Sequence, residues 1–99
     1  MPNYFVSYDL NGIFPTHEEM DAHLINISKK AKRVLETVWH INSQKSLDEI
    51  TDEILGIMSD DDSLLVIEAR DIRWSNLLIS DSEMRQAWLG NSPKARRST

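Results

Sequence analysis

The sequence predicts a single α+β domain with the element order β-α-β-β-α-β and an extension after the last strand. Short runs rich in aromatic and β-branched residues alternate with stretches whose apolar residues recur at helical spacing. Three helical stretches begin with Ser or Thr three residues before Glu, the spacing of a helix-capping box. A chain of 99 residues is long enough for one hydrophobic core and too short for two.

The composition is that of an ordinary globular protein, with 40% apolar and 27% charged residues. The longest apolar run, residues 64–67, is far shorter than the roughly 18 residues of a membrane span. The N-terminus enters a strand pattern at once, so we expect no signal peptide and a soluble, cytoplasmic protein. Cysteine is absent, which excludes disulfides, thiolate nucleophiles and cysteine-based zinc sites.

The formal charge of −5 is unevenly distributed. Three of the eleven basic residues, Lys94, Arg96 and Arg97, lie in the last six positions. The rest of the chain has eight basic against sixteen acidic residues, a charge near −8. Such a body repels a polyanion unless a local basic patch or a metal ion intervenes.

The first strand and the first helix are the clearest elements. Residues 4–10 form the strand, which ends at the turn dipeptide Asn11-Gly12. Alternation places its side chains on two faces: Phe5 and Ser7 on one, and Tyr4, Val6 and Tyr8 on the other. A capping box from Thr16 to Glu19 begins the helix. Its apolar stripe is Met20, Leu24, Ile27 and Ala31, and the basic residues Lys29, Lys30, Lys32 and Arg33 are expected near its C-terminal end.

The middle of the chain completes the sheet. Residues 33–36 and 38–42 read as two strands with a tight connection, although the first helix could instead continue through Leu35. A capping box at Ser46 begins the second helix, whose buried stripe is Ile50, Ile54, Ile57 and Met58. Residues 64–69 form the fourth strand. The order predicts a ferredoxin-like βαββαβ sandwich: a four-stranded antiparallel sheet with two helices on one face.

An extension begins at about residue 71. Residues 74–79 read as an extra strand or an extended arm, followed by a short helix that starts at a capping box at Ser80 and stops at Gly90-Asn91. Residues 91–99 are expected to be a disordered basic tail. We expect a homodimer, because sheet edges need cover, with the interface formed by Trp74, Leu77, Leu78 and Ile79.

Four segments together carry a family resemblance. They are YFVSYDLN at 4–11, TVWHI at 37–41, a Ser-x-x-Glu-Ile helix start at 46–50, and Leu-Leu-Val-x-Glu at 64–68. Over about residues 3–80 the chain resembles the SinR-family small proteins. These look like distant relatives of the small CRISPR-associated integration scaffold and of VapD-type ribonucleases.

The resemblance implies a ferredoxin-like homodimer and points to Asp9. In the nuclease members, an Asp at the end of the first strand faces its symmetry mate and holds a divalent metal, and Asp9 matches that position. A carboxylate is a suitable ligand for Mg²⁺ or Mn²⁺. The metal would polarise a phosphodiester and activate water. An Asp after a strand is also a common turn former, so the structural explanation stays open.

Other candidate residues have plainer explanations. Asp60-Asp61-Asp62 lacks the ligand spacing of an EF-hand and reads as a solvated loop. His40 is a possible general base, with a structural role favoured. The three tryptophans are expected to pack rather than stack on bases. Tyr8 and the basic tail residues Lys94, Arg96 and Arg97 are candidate nucleic-acid contacts.

Two functional classes follow from the sequence. The first is a metal-dependent endonuclease acting on RNA or DNA, centred on Asp9. The second is a non-catalytic dimeric binding module, antitoxin-like or a phage-defence accessory protein, which engages a protein or nucleic-acid partner. The Asp9 position favours the first class, and the acidic body favours the second.

Overall fold

The computed structural model describes residues 2–90. It has four strands and three helices within that range, in the order β1 (Asn3–Asp9), α1 (His17–Ile27), β2 (Lys32–Leu35), β3 (Val38–Asn42), α2 (Leu47–Leu55), β4 (Ser63–Ala69) and α3 (Asp81–Leu89). None of these helices is long and apolar enough to cross a membrane.

The four strands form one sheet in the order β2-β3-β1-β4. Every neighbouring pair is antiparallel. The α+β class and the four-stranded antiparallel sheet are thereby confirmed, and the strand order is compatible with a ferredoxin-like arrangement. β1 and β3 are the two interior strands; β1, which is bonded to β3 on one side and to β4 on the other, is called the central strand below.

One face of the sheet, which we call the inner face, packs against α1 and α2. Tyr4 and Val6 of β1 lie directly opposite Ile41 and Trp39 of β3 on this face, and all four are buried. From the helices, Met20, Leu24, Ile50 and Ile54 complete the core cluster. Each fully buried aliphatic side chain stabilises the fold by about 1.5–3 kcal/mol through loss of apolar surface from water.

The three predicted capping boxes are all present. Thr16, Ser46 and Ser80 each accept a hydrogen bond from the backbone N–H three residues on, and the Glu at that position bonds back to the cap residue. These contacts satisfy backbone donors that a helix start would otherwise leave free. The same hydrogen bonds lower the pKa of Glu49 and Glu83 below the usual range.

The predicted C-terminal end of α1 was wrong. The helix ends at Ile27, and its last turn contains no basic residue. The N–H of Ser28 bonds to the carbonyl of Leu24, and a turn then carries the chain to Ala31, which is buried ahead of β2. Lys29 and Lys30 therefore lie in that turn, and Lys32 and Arg33 lie in β2. Ala31 is thus buried from the segment that follows the helix and not as part of a continued helical stripe.

The predicted end of α2 was also too late, because the helix stops at Leu55. Ile57 and Met58 lie beyond the helix but still pack against the core, as partly buried side chains. The apolar pattern thus identified the residues that pack inward and not the residue at which the helix ends.

The segment after β4 returns to the same sheet. Residues 70–80, which we call the arm, contain no helix or strand; of the two predicted alternatives, the extra strand is not formed. The N–H of Leu78 donates to the carbonyl of Val34 in β2, at 2.9 Å. α3 then packs on β3, with Met84 and Ala87 buried. The arm and α3 therefore cover part of the second face of the sheet, which we call the outer face.

Gly90 closes α3 in the left-handed region, with φ of +67°, and a Cβ there would overlap the side chain of Asn42. We expect Gly90→Ala to lower the free energy of unfolding by about 1–2 kcal/mol, from backbone strain and displacement of Asn42. Chemical denaturation checks this. Ser82→Ala, an exposed change in the same helix, is the control, and an equal effect of the two changes would contradict the argument.

Candidate functional site

Asp9 lies at the exposed end of the central strand. It is the last residue of β1, and its neighbour across the sheet is Ser63, the first residue of β4. Alternation along β1 places Phe5, Ser7 and Asp9 on the outer face, because Tyr4 and Val6 are buried on the inner face. The Asp9 carboxylate is thus presented beside the outer face and not towards the helices.

Next to Asp9, the outer face carries uncovered apolar side chains. Leu65 is paired with Ser7 and Ile67 with Phe5, so both lie on this face. Leu65 is 57% exposed and Ile67 50% exposed. We call Ser7, Asp9, Leu65 and Ile67 the open patch. An open depression lies at one end of it, lined by Ser7, Asp9 and Leu65 among others.

The open patch was missed at the sequence level, although a signal was present. Residues 64–67 are four consecutive apolar residues, and in a strand such a run places apolar side chains on both faces. Leu64 and Val66 pack against the inner core, which leaves Leu65 and Ile67 on the other side. An edge strand with two exposed leucine-sized side chains is a candidate contact surface.

Tyr8, the predicted nucleic-acid contact, lies on the opposite face from Asp9. Its hydroxyl donates to Oδ1 of Asp21 on α1, at 2.9 Å. Arg33 of β2 pairs with Oδ2 of the same carboxylate, and its guanidinium stands 5.5 Å from the ring centroid of Trp39. Burial and the Asp21 carboxylate raise the pKa of Tyr8 to about 12, so the phenol stays protonated. Tyr8 and Asp9 therefore do not form one site.

Residues 59–62, which we call the acidic loop, follow α2 and are hydrogen-bonded to the chain that follows β1. The carboxylate of Asp62 accepts hydrogen bonds from the backbone N–H of Asn11, at 2.7 Å, and of Ser59, at 2.9 Å. The Asn11 side chain in turn donates to the carbonyl of Asp61. The hydrogen bonds from these two backbone N–H groups lower the pKa of Asp62, and the bond from Asn11 has the largest effect. The loop fixes the position of the strand end that carries Asp9.

Glu68 and Asp9 are too far apart to share a metal ion within one chain. β4 does lie next to β1, but Glu68 is paired with Tyr4, five residues from Asp9 along the strand. Five residues of strand span about 17 Å. Within residues 2–90, no group of three or more His, Asp or Glu side chains could hold a metal ion.

His40 has a structural position under α3. It is fully buried on the outer face, and its Nε2 lies 2.7 Å from Oδ1 of Asn3. The amide of Asn42 donates to the same Asn3 oxygen and to the carbonyl of Trp88. The ring of Trp88 stacks on His40 with centroids 6.2 Å apart, beside Phe5. The position favours packing over general-base chemistry, since no solvent or substrate reaches this imidazole.

The remaining histidines and tryptophans have surface or structural positions. His17 is exposed at the start of α1, and Nε2 of His23 lies 2.6 Å from the carbonyl of Glu53. Trp39 is 5% exposed within the inner core. The indole N–H of Trp74 donates to the carboxylate of Asp81 at 3.0 Å. Trp39, Trp74 and Trp88 therefore all make contacts within the fold.

The four residues predicted to form a dimer interface lie in the arm. Trp74, Leu77 and Ile79 are half-buried, and Leu78 is 58% exposed. Their participation in a dimer stays a prediction. Lys94, Arg96, Arg97 and the predicted disordered tail lie outside the described residues.

Comparison with known proteins adds no relative to these observations. Neither family models, nor curated proteins, nor solved structures gave a match to this chain. The resemblance to SinR-family proteins therefore stays a prediction that rests on the quoted segments.

The buried His40 predicts a specific pH dependence of stability. Burial lowers its pKa from 6.5 to about 4, so the folded protein binds fewer protons than the unfolded chain. The stabilisation from neutral His40 is complete above pH 6.5 and declines as the pH falls towards 4, by up to about 3 kcal/mol.

Denaturation of the natural protein and of His40→Gln at pH 7 and pH 4 measures this effect. Glutamine keeps a donor for Asn3 but does not titrate, while the carboxylates titrate alike in both proteins. We expect the variant to be less stable at pH 7 and the difference to shrink at pH 4. An unchanged difference would show that the pKa of His40 is the same in the folded and the unfolded protein, which would contradict the argument.

Proposed function

We propose that the chain is a homodimeric, metal-dependent endonuclease of ferredoxin-like type, with Asp9 of each copy at its centre. The observation that carries the proposal is the placement of an exposed carboxylate at the edge of the open patch, on the outer face of the central strand. The family resemblance supports the same residue.

The open patch supplies a reason for two copies to meet at Asp9. Burial of Leu65 and Ile67 in an interface would be favoured by the hydrophobic effect. Asp9 lies on the same face, two positions along β1 from Ser7, the residue opposite Leu65. A copy packed over Leu65 and related by a two-fold axis parallel to β1 would bring a second Asp9 to the same end of the interface. The half of the outer face under α3 is already occupied by Trp88 and Met84 and takes no part.

Two aspartates from a dimer suit a divalent cation with oxygen ligands. Mg²⁺ binds through one or two protein carboxylates and completes its shell with water and substrate phosphate. Residues 2–90 contain no group of three side chains that could hold a metal ion, so the proposed site takes its second aspartate from the second copy. A bound cation would activate water for attack on a phosphodiester and polarise the scissile phosphate.

The same cation would offset the electrostatic repulsion between the acidic protein and a nucleic acid. The acidic loop beside Asn11 adds negative charge near the strand end. A divalent ion between two carboxylates reverses the local sign and offers the phosphate an attractive contact. The proposal therefore requires that nucleic-acid binding, and not only cleavage, depends on metal.

Cleavage assays test the role of Asp9 directly. Purified protein is incubated with labelled single- and double-stranded RNA and DNA in Mg²⁺, Mn²⁺ or EDTA. We expect metal-dependent cutting that falls at least about a hundredfold in Asp9→Asn, because removal of a metal ligand forfeits several kcal/mol of transition-state stabilisation.

The control for this assay is Asp52→Asn, an exposed aspartate of α2 on the helix side of the sheet. It changes the net charge equally and should cut like the natural protein. Equal cutting by natural protein and Asp9→Asn would trace the activity to another residue or to a contaminant. No cutting of any substrate with either metal would overturn the nuclease proposal.

The dimer is tested separately from the chemistry. We expect light scattering with size exclusion to give a dimer for the natural protein and a monomer for Leu65→Glu, since each interface would bury two unpaired carboxylates in an apolar contact. Leu78→Glu, in the exposed part of the arm, tests the interface predicted at residues 74–79. If Leu78→Glu dissociates the dimer and Leu65→Glu does not, the interface lies at the arm and not at the open patch.

A non-catalytic binding module is the second candidate, and one observation favours it. The body of the chain is strongly acidic, and the acidic loop lies close to the open patch. Such a surface fits a basic protein partner better than a nucleic acid. A stable dimer that neither cuts nor binds nucleic acid in the presence of Mg²⁺ or Mn²⁺ would favour this function.

A further inference from the structure

A crevice lies between the arm and the outer face, on the side away from Asp9. The arm is held at two points: the N–H of Leu78 bonds to Val34 of β2, and the indole of Trp74 bonds to Asp81 at the start of α3. Between the arm and the sheet remains a space of about 220 Å³. Since both anchors are hydrogen bonds to regular elements, the walls are preformed.

The walls of the crevice are almost entirely apolar. Of the nine residues that line it, Arg73 alone carries a charge. Phe5 and Val38 form the sheet side, and Trp74 and Leu77 form the arm side. An apolar cavity of about 150 Å³ is large enough to hold benzene, so this space admits one aromatic ring with a short substituent.

Arg73 gives the crevice a preference for an anion. The ion pairs within residues 2–90 join Arg33 to Asp21 and Lys45 to Glu53, and neither includes Arg73. Asp71, two residues away in the chain, accepts a hydrogen bond from the N–H of Ile72, and Asp81 accepts one from the indole of Trp74. Arg73 lines this space, and a guanidinium can bind a ligand carboxylate through two parallel hydrogen bonds.

We propose that this crevice is a binding site for a small aromatic monocarboxylate, with the ring beneath the arm and the carboxylate on Arg73. Both features are needed for the assignment. Apolar walls alone would accept any neutral ring, and an exposed arginine alone would bind a carboxylate only weakly. The site is distinct from the proposed nuclease site, because none of the residues that line the crevice belongs to the open patch.

Titration of the full chain with phenylacetate, by calorimetry and by backbone amide NMR, tests the proposal. We expect saturable binding with a dissociation constant on the order of 1 mM or tighter, a reasonable limit for a ligand of this size. The largest shifts should fall in the arm and β2. Phenylacetamide has the same shape without the charge, and acetate has the charge without the ring. Each should bind about tenfold more weakly.

Three variants separate the contributions. Arg73→Gln should weaken phenylacetate about tenfold and leave phenylacetamide unchanged, because only the charged hydrogen bonds are lost. Leu77→Trp fills the crevice and should abolish binding of both ligands, with its thermal unfolding measured to establish that it is folded. Arg85→Gln removes an exposed cation of α3 and is the charge control.

The proposal is overturned by any of four results. These are the absence of saturation at about ten times the expected dissociation constant, equal affinity for phenylacetate and phenylacetamide, an Arg73→Gln variant that binds like the natural protein, or shifts confined to residues away from the arm and β2. Arg85→Gln weakening the binding as much as Arg73→Gln would likewise show a nonspecific charge effect.

Discussion

Burial of the first half of β1 on both faces is the constraint from which the rest of the structure follows. β1 is hydrogen-bonded to β3 and β4, so its backbone is satisfied and its side chains must find cover above and below. On the inner face Tyr4 and Val6 are fully buried by α1 and α2. On the outer face Phe5 needs a second layer, and the chain supplies it by returning over the sheet with α3.

The second layer covers only part of the outer face, and this incompleteness gives the molecule its candidate surfaces. α3 is short, and it packs over β3 through Met84, Ala87 and Trp88. Beyond its reach, the β4 side of the sheet keeps Leu65 and Ile67 in water, next to Asp9. The arm covers the β2–β3 side loosely and leaves the crevice beneath it. Both proposals thus depend on one structural feature: α3 and the arm cover only part of the outer face.

The negative charge of the protein surface determines which kinds of partner are attracted to it. Sixteen acidic residues surround a core that has few buried charges, and the acidic loop is fixed by hydrogen bonds beside the strand end. A polyanion meets repulsion there unless a cation is bound first. The buried polar cluster of Asn3, His40 and Asn42 is separate from this surface and serves to hold α3. Its imidazole stays neutral because burial opposes its charge.

Much of the fold was determined by the sequence itself. The apolar alternation in β1 separated Tyr4 and Val6 from Phe5 and Ser7, and the three capping boxes located the helix starts, because such signals depend on residues within one or two turns of each other. The ends of α1 and α2 were misplaced, since Ala31 and Ile57 continue the apolar helical pattern but pack inward from positions beyond the helices. The position of Asp9 at the strand end was likewise readable from the sequence.

The surroundings of Asp9 were decided only by the tertiary structure. Whether Glu68 could join it depended on strand register, which placed Glu68 opposite Tyr4. Whether the outer face was open depended on α3, which docks through contacts such as that between Asn42 and Trp88, 46 residues apart in the chain. Local patterns contain no information about contacts at that separation, because they form only when packing brings the segments together. The sequence therefore determined the strand, its two faces and its terminal carboxylate, and tertiary packing determined which part of the outer face remained free to bind.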